Sequence, residues 1–503
     1  MGNIVSAAQS GISTHTGGSA GIAGSAIHQC LINAVGDNNV AFKGDPLYQI
    51  NDVKPYNLDI QITPTAVTYP STADQVAAIV KCAAECNLAV QSRSGGHSFG
   101  NYGIGGQDGA VVVDLKHFQK FSIDTSTWQA TVGSGTRLGD LTKRLGENGG
   151  RAMAYGTCPQ VGVGGHALIG GLGPASRMWG ALLDHVEEVE VVLANSTVVR
   201  ASDKQHPDLF FALKGAGASF GIVTEFKLRT QAAPSNAVIY SYTFAGGSTQ
   251  SKADLFKRWQ KLVSDPQLSR KFASQYIIAG PIGAIITGTY FGSQAEYDSL
   301  NLSSRLQTSQ SNSSIEMKDW LGAVGHWSEQ VALQIVGNVP AHFYAKTLAY
   351  TQKDLMSDAT VDKVFKYIDT ADKGGALFFM IWDLAGGAVN DVAEDATAYG
   401  HRDALFFHQA YAVNLLGRLN DTSRAYLNGI NDVVINSRAD RDQGVYPGYV
   451  DPALGPNSAA LYWDDNVSKL QQIKASVDPR NVFRNPQSIQ PAGRSAKQRA
   501  IVY

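Results

Sequence analysis

The chain lacks any run of 18 consecutive apolar residues, so no membrane-spanning helix is expected. It also lacks a dominant sign of charge. Its 41 Lys and Arg stand against 43 Asp and Glu, a net of -2, which removes the electrostatic case for nucleic acid. Cysteine is scarce. Cys30, Cys82, Cys86 and Cys158 form neither a disulfide framework nor a zinc pattern. Cys82 and Cys86 lie four apart on an expected helix and could hold a metal, but no histidine or second cysteine pair supports one, and no metal site is assigned. The N-terminus has neither the basic start nor the apolar stretch of a secretory signal. Met1 to Ala20 is rich in Ser and Gly, and residues 1–25 are expected to form a disordered tail. Met1-Gly-Asn-Ile-Val-Ser6 also fits the loose N-myristoylation pattern. No internal repeat is visible.

The chain does have length and glycine. At 503 residues it exceeds one hydrophobic core, so about two domains are expected. Its 52 glycines have no collagen-like period, and many crowd between Arg93 and Gly173. Two segments stand out there: Arg93-Ser-Gly-Gly-His-Ser98 and Gly156-Thr-Cys-Pro-Gln-Val-Gly-Val-Gly-Gly-His166. Glycine lets a backbone approach a flat, phosphorylated ligand where a side chain would intrude. Each segment carries one nucleophile, His97 or Cys158, so both loops are read as wrapping a flavin and bonding to it. Gly162-Val-Gly-Gly-His-Ala167 matches the dinucleotide pattern G-x-G-x-x-A. However, it follows a loop and lacks the acidic residue of a βαβ unit, so an NAD-type Rossmann site is rejected.

Short strands and helices alternate through residue 230. Strands are expected at 65–69, 89–91, 110–115, 128–133, 186–193, 197–200 and 222–228. Helices are expected after the capping box Thr72 to Gln75, from Thr136 to Asn148, and over 207–214 with Pro207 at its start. Past Ala232-Ala-Pro-Ser235 the strands lengthen, at 238–244, 276–279, 284–291, 376–384 and 404–413, with helices between them, for example 253–263 and 423–437. This pattern predicts a sheet with helices on one face and the other face open to a ligand. A last helix is expected over 459–476.

Three motifs in order resemble the FAD-binding domain of the vanillyl-alcohol-oxidase superfamily: 93–98, 156–166, and Asp208-Leu-Phe-Phe-Ala-Leu-Lys-Gly-Ala-Gly217. Within it the chain resembles the berberine-bridge-enzyme-like group, and most of all the fungal glucooligosaccharide oxidases, from about Cys30 to Ile489. The resemblance implies an α+β fold. Residues 26–232 and 447–503 would make a two-part FAD-binding domain, and 233–446 an inserted substrate domain with an antiparallel sheet. It implies FAD held by two covalent bonds, at the flavin 8α carbon by His97 and at carbon 6 by Cys158. Further cofactor contacts are expected from Arg93, Ser94, Gly95, Gly96, Ser98, Gly156, Gly164, His166 and Gly170. Gly221, Ile222 and Val223 are expected at the adenine half, and Val163 beside the flavin where oxygen arrives.

The resemblance also supplies the catalytic pair. Tyr449, in Pro447-Gly-Tyr-Val-Asp451, matches the family's base, and Asp383, in Phe379-Met-Ile-Trp-Asp383, its assisting carboxylate. A tyrosine near pKa 10 is a weak base at neutral pH, so a carboxylate to accept its proton is needed. On residue type alone, Tyr449 reads equally as a seam-filling tyrosine and Asp383 as a strand-end cap. Phe99 stands where oligosaccharide oxidases often carry Tyr, and Phe379 where they carry a Trp platform; Gln409 matches a sugar-contacting Gln. The reaction implied is oxidation of a sugar's anomeric hydroxyl to the lactone, with O2 reduced to H2O2.

Two other functions compete. One keeps the flavin and turns to an alkaloid or polyketide alcohol. The other is a flavin- or sugar-binding protein without turnover, against which Tyr449 and Asp383 argue. A small-molecule substrate, O2 and no macromolecular partner are expected, as is a monomer. The resemblance points to secretion, with Cys30 and Cys82 at positions disulfide-linked in secreted relatives, although no clear signal peptide is present and an intracellular location stays open. Sequons at Asn195, Asn301, Asn312, Asn420 and Asn466 lean the same way.

Overall fold

The computed structural model describes residues 19–280, 283–329, 339–439 and 443–493. Its architecture is α+β, as expected. A helix spans Ser19–Val35, so residues 19–25 of the expected tail are helical, while the myristoylation pattern lies outside the described residues. A disulfide joins Cys30 on this helix to Cys82 on helix Ala73–Glu85, and Cys86 stays free and exposed. The second helix begins as its capping box predicts. Thr72 accepts from the Gln75 amide, while the Gln75 side chain reaches back to Ser71.

Helix Ala73–Glu85 buries Val76, Ile79, Val80 and Ala83 against a four-stranded sheet of order Val40–Phe42, Ala66–Thr68, Val111–Asp114, Val90–Arg93. The last three strands run parallel. A five-stranded antiparallel sheet follows, ordered Phe121–Asp124, Gln129–Gly133, Ile222–Arg229, Val186–Val192, Val198–Ser202. The strand at Phe121–Asp124 was not foreseen. It is an edge strand whose residues alternate between half-buried and exposed, so it carries little apolar signal.

The expected open-faced sheet is present with seven strands, all antiparallel. Their order is Asn312–Lys318, Ala237–Phe244, Gly283–Tyr290, Phe272–Ala279, Leu377–Leu384, Phe406–Asn414, His342–Tyr350. Both outer strands escaped the sequence reading. The first of them is polar, and all but its last residue is exposed. Helices Thr249–Val263, Asp358–Thr370 and Asp421–Ile435 cover one face, burying Phe256, Trp259, Phe365 and Tyr426 against Tyr276, Met380 and Trp382. Side chains alternate between faces along a strand. Ile277, Phe379, Ile381, Tyr411 and Val413 therefore emerge on the other face, where they meet Tyr56 and Phe99.

The expected single helix over 459–476 is broken. Helix Ser458–Trp463 stops, Asp464 takes a left-handed φ of 49, and a second helix runs Val467–Val477. Breaking there lets Trp463 turn into the core that holds Tyr155 and Phe220, with its indole N–H on the Gly215 carbonyl.

Candidate active site

Both glycine loops hang from one turn. Strand Val90–Arg93 delivers the first loop, and Ser94 Oγ donates to the Ser134 carbonyl at 2.6 Å. The Gly164 amide of the second loop donates to the same carbonyl at 3.1 Å. At their contact the loops touch with no room for side chains. A Cβ on Gly162 would lie 2.0 Å from Ser94 Oγ and 2.2 Å from the Gly95 nitrogen. These glycines thus serve first to bring loop against loop. Gly165, absent from the sequence prediction, is different: a Cβ there would meet nothing within 4 Å. It faces the cavity that runs between the loops and the open face of the sheet.

That cavity has a volume of about 380 Å³ and reaches from Gln91 and Asn485 at one end, past His97 and Cys158, to Asp383 and Tyr449. His97 lies with its ring 4.7 Å from Tyr56. Burial, with the Arg137 charge, lowers its pKa to about 4, so the imidazole is neutral and nucleophilic near pH 7. Burial raises the Cys158 thiol to about 11. His166, lowered to about 4 by burial, accepts the Gly156 amide on Nε2 at 2.9 Å and so closes the loop carrying Cys158. A neutral imidazole and a thiol flank the apolar middle, and Gln91, Ser219, Asn485 and Ser488 stand toward the far end. This donor set fits a long cofactor with a flat ring and a polar tail. His97, Cys158, the loop backbone and Gly165 would hold it.

Ser94, Gly95, Gly96, Ser98, Gly156, Gly164 and His166 line the cavity. Arg93 lines it too, with its guanidinium held by Asp114 at 2.6 Å and by the carbonyls of Asp52 and Val53. Several other predicted contacts do not. Val163 is fully buried in the core behind the loop and is not part of the cavity lining. Gly170 lies outside the lining as well. It gives way to the Tyr446 ring, whose hydroxyl accepts the Gly171 amide at 2.8 Å. Gly221, Ile222 and Val223 also lie away from the cavity. Ile222 and Val223 point into two cores, and a Cβ on Gly221 would meet Val191 at 2.5 Å.

On the substrate side the sheet register assembles the polar cluster. Gln275 lies directly across from Asp383, and Gln409 sits opposite Ile381 on the next strand. All three emerge on the open face. Both Asp383 oxygens accept amide hydrogens, one from Gln275 and one from Gln409. Gln409 in turn accepts from the Tyr411 hydroxyl at 2.5 Å. Gln409 thus holds Asp383 while lining the cavity, with a second N–H and a second carbonyl lone pair left over. Gln275, Tyr411 and Tyr56 were missed by the sequence reading. A Gln in the mostly apolar strand Phe272–Ala279 was the available signal for the first.

Burial raises Asp383 to about 6 against the pull of its two amide donors. Tyr449 stacks on Phe99 at 6.3 Å and packs edge-on against Tyr446 at 4.9 Å. Burial, then the Asp383 charge, holds its phenol well above the usual value. Among the described residues no hydrogen bond joins Tyr449 directly to Asp383, although both line the same cavity. Phe99 and Phe379 complete the wall, Phe379 stacked on Tyr411 at 4.7 Å. Among the described residues no cluster able to hold a metal is found, and no helix is long and apolar enough to cross a membrane.

Comparison with known proteins agrees with this geometry. A family described as FAD binding domain matches residues 64–202, and one described as Berberine and berberine like matches 445–490. The FAD-linked oxidoreductase sorD of Penicillium rubens is 41% identical over 476 residues, 93% of this chain and 99% of that protein. The xylooligosaccharide oxidase of Thermothelomyces thermophilus is 32% identical over 483 residues, 93% of this chain and 95% of that protein. The solved structure of a glucooligosaccharide oxidase from Acremonium strictum, studied for its 6-S-cysteinyl, 8α-N1-histidyl FAD, matches with TM-score 0.85 at 30% identity, covering 93% of this chain and 100% of that one.

Proposed function

We propose, since the chain belongs to the berberine-like family of FAD-linked oxidoreductases, that it holds FAD through His97 and Cys158 and oxidises a carbon bearing a hydroxyl group. The observation that carries this reading is the convergence of Tyr449 and Asp383 on the same cavity as the two nucleophiles. When bound, the flavin supplies the hydride acceptor and passes the electrons on to O2. The protein supplies proton transfer. Tyr449 is protonated at rest, so it can take the substrate's hydroxyl proton only by releasing its own. Asp383, ionised above a pKa of about 6, is the group able to receive it near neutral pH. As no direct bond joins the two in the resting structure, a water carries the Tyr449 proton to Asp383. Oxidation should therefore weaken as pH falls through about 6 and Asp383 takes up a proton.

Two substrate classes suit this chemistry. Oxidation of a sugar's C1 hydroxyl to a lactone is supported by relatives named as xylooligosaccharide, glucooligosaccharide and carbohydrate oxidases. The wall itself favours the second class, a flat hydroxylated metabolite of aromatic or polyketide type. A sugar carries a hydroxyl on nearly every ring carbon, and each must find a partner when buried. Here Gln275, Gln409 and Tyr411 hydrogen-bond within their own cluster, and Phe99 and Phe379 offer ring faces without a polar handle. A panel of mono- and oligosaccharides beside phenolic and polyketide alcohols, read by peroxide release and flavin bleaching, separates the two. Efficient turnover of any sugar would sink the second reading, and no peroxide from any alcohol would sink both. Flavin retained in acid-precipitated protein, lost stepwise in His97→Ala and Cys158→Ala, checks the covalent links.

A further inference from the structure

We propose that Tyr411 is a positioning residue that acts through Gln409: its hydroxyl decides which end of the Gln409 amide faces Asp383. The inference rests on the Asp383 site assigned above. Tyr411 follows Gln409 by two residues on strand Phe406–Asn414, so both side chains leave the sheet on the same face, side by side. The Tyr411 hydroxyl donates to Gln409 Oε1 at 2.5 Å, and Gln409 Nε2 donates to Asp383 Oδ2.

The two ends of a carboxamide are almost equal in size, so shape alone does not choose between them. A donor at Oε1 does choose. With the phenol proton pointed at the carbonyl end, only the N–H end can face the carboxylate. Were the amide to turn over, Gln409 would set a carbonyl oxygen against a carboxylate oxygen, and the phenol would lose its acceptor and have to receive the N–H instead. Tyr411 is itself well held, stacked on Phe379 at 4.7 Å and edge-on to Phe99 at 5.9 Å. Burial and the neighbouring Asp383 charge keep its phenol protonated, hence a donor, far above neutral pH. Gln275, which holds the other Asp383 oxygen, has no orienting donor of this kind among the described residues. The Tyr411–Gln409 pair is thus the part of the cluster with a defined polarity.

The other titratable groups facing this cluster are Tyr449, Tyr56 and Cys158, each held neutral by burial at ordinary pH. Asp383 is therefore the charge whose titration reports on the amides. The test is an infrared difference titration of the carboxyl stretch on the FAD-loaded protein, with the Asp383 band identified by its loss in Asp383→Asn. The wild-type midpoint is expected near 6. Tyr411→Phe keeps both ring contacts and removes only the hydroxyl. Its midpoint should rise by about one pH unit, tenfold in proton affinity. Gln409→Leu should shift it the same way, and the double variant should move no further than Gln409→Leu alone. A midpoint unmoved or lowered in Tyr411→Phe, or a double variant shifted well beyond Gln409→Leu, overturns the inference. The titration needs no substrate, so it can fail while the oxidase reading stands, and the reverse.

Discussion

Asp383 shows at the scale of one side chain how a site is set against stability. Burial lifts its pKa from the ordinary 3.8 to about 6, so the folded chain binds its proton more tightly than the unfolded chain does. The stabilisation this represents is full below pH 4 and is lost as pH rises through about 6, roughly 3 kcal/mol in all. Asp383→Asn lacks this titration. Unfolding free energies measured at pH 4 and pH 7 should show wild type losing about 2 kcal/mol relative to the variant across that interval. An equal pH dependence in the two proteins would mean that the carboxylate is not paying a burial cost. Residue type and family position were enough to single out Asp383, Tyr449, His97 and Cys158. The sequence did not show that the Arg93 guanidinium is paired with Asp114 and with the carbonyls of Asp52 and Val53.

At the scale of the element, the glycine loops divide into two kinds that sequence does not distinguish. Gly162→Ala must push against Ser94 and the Gly95 backbone, which are 2.0 and 2.2 Å from the new Cβ. It should separate the loops and lower thermal stability even before cofactor is added. Gly165→Ala meets only open cavity. It should leave the apoprotein's melting temperature within about 1 °C of wild type, since surface-like changes cost under ~0.5 kcal/mol, yet reduce FAD uptake followed by absorbance. Equal FAD uptake by Gly165→Ala and wild type would move the cofactor away from this glycine. Most strands with buried runs were legible, although His342–Tyr350 was missed despite its buried residues. The polar edge Asn312–Lys318 and the helix break at Asp464 were not, because neighbours rather than local pattern decide them.

Across the whole molecule, the cradle is fastened to the sheet by a few buried polar groups. Arg177 donates to the carbonyls of Phe272 and Ala385, just before Gln275 and just after Asp383 on the two adjacent strands. Arg402 pairs with Asp184 at 2.8 Å, and Lys346 meets Asp451, two residues beyond Tyr449. Arg177→Met would leave those two carbonyls without their buried donor, a loss of about 3 kcal/mol, seen as a lower urea midpoint. A midpoint within error of wild type would show that the joint does not depend on this side chain.

The sequence by itself determined two glycine loops with a nucleophile on each and an open-faced sheet, which follow from residue type, short-range spacing and face alternation and survive without knowledge of distant neighbours. Tyr449 and Asp383 were singled out by family resemblance, not by residue type. Only the tertiary structure decided who meets whom. Strand register placed Gln275 and Gln409 on Asp383, loop contact gave Gly162 its role, and core packing took Val163 and Ile222 away from the cavity lining. Those outcomes depend on contacts between residues scores of positions apart, and a linear pattern carries no measure of them.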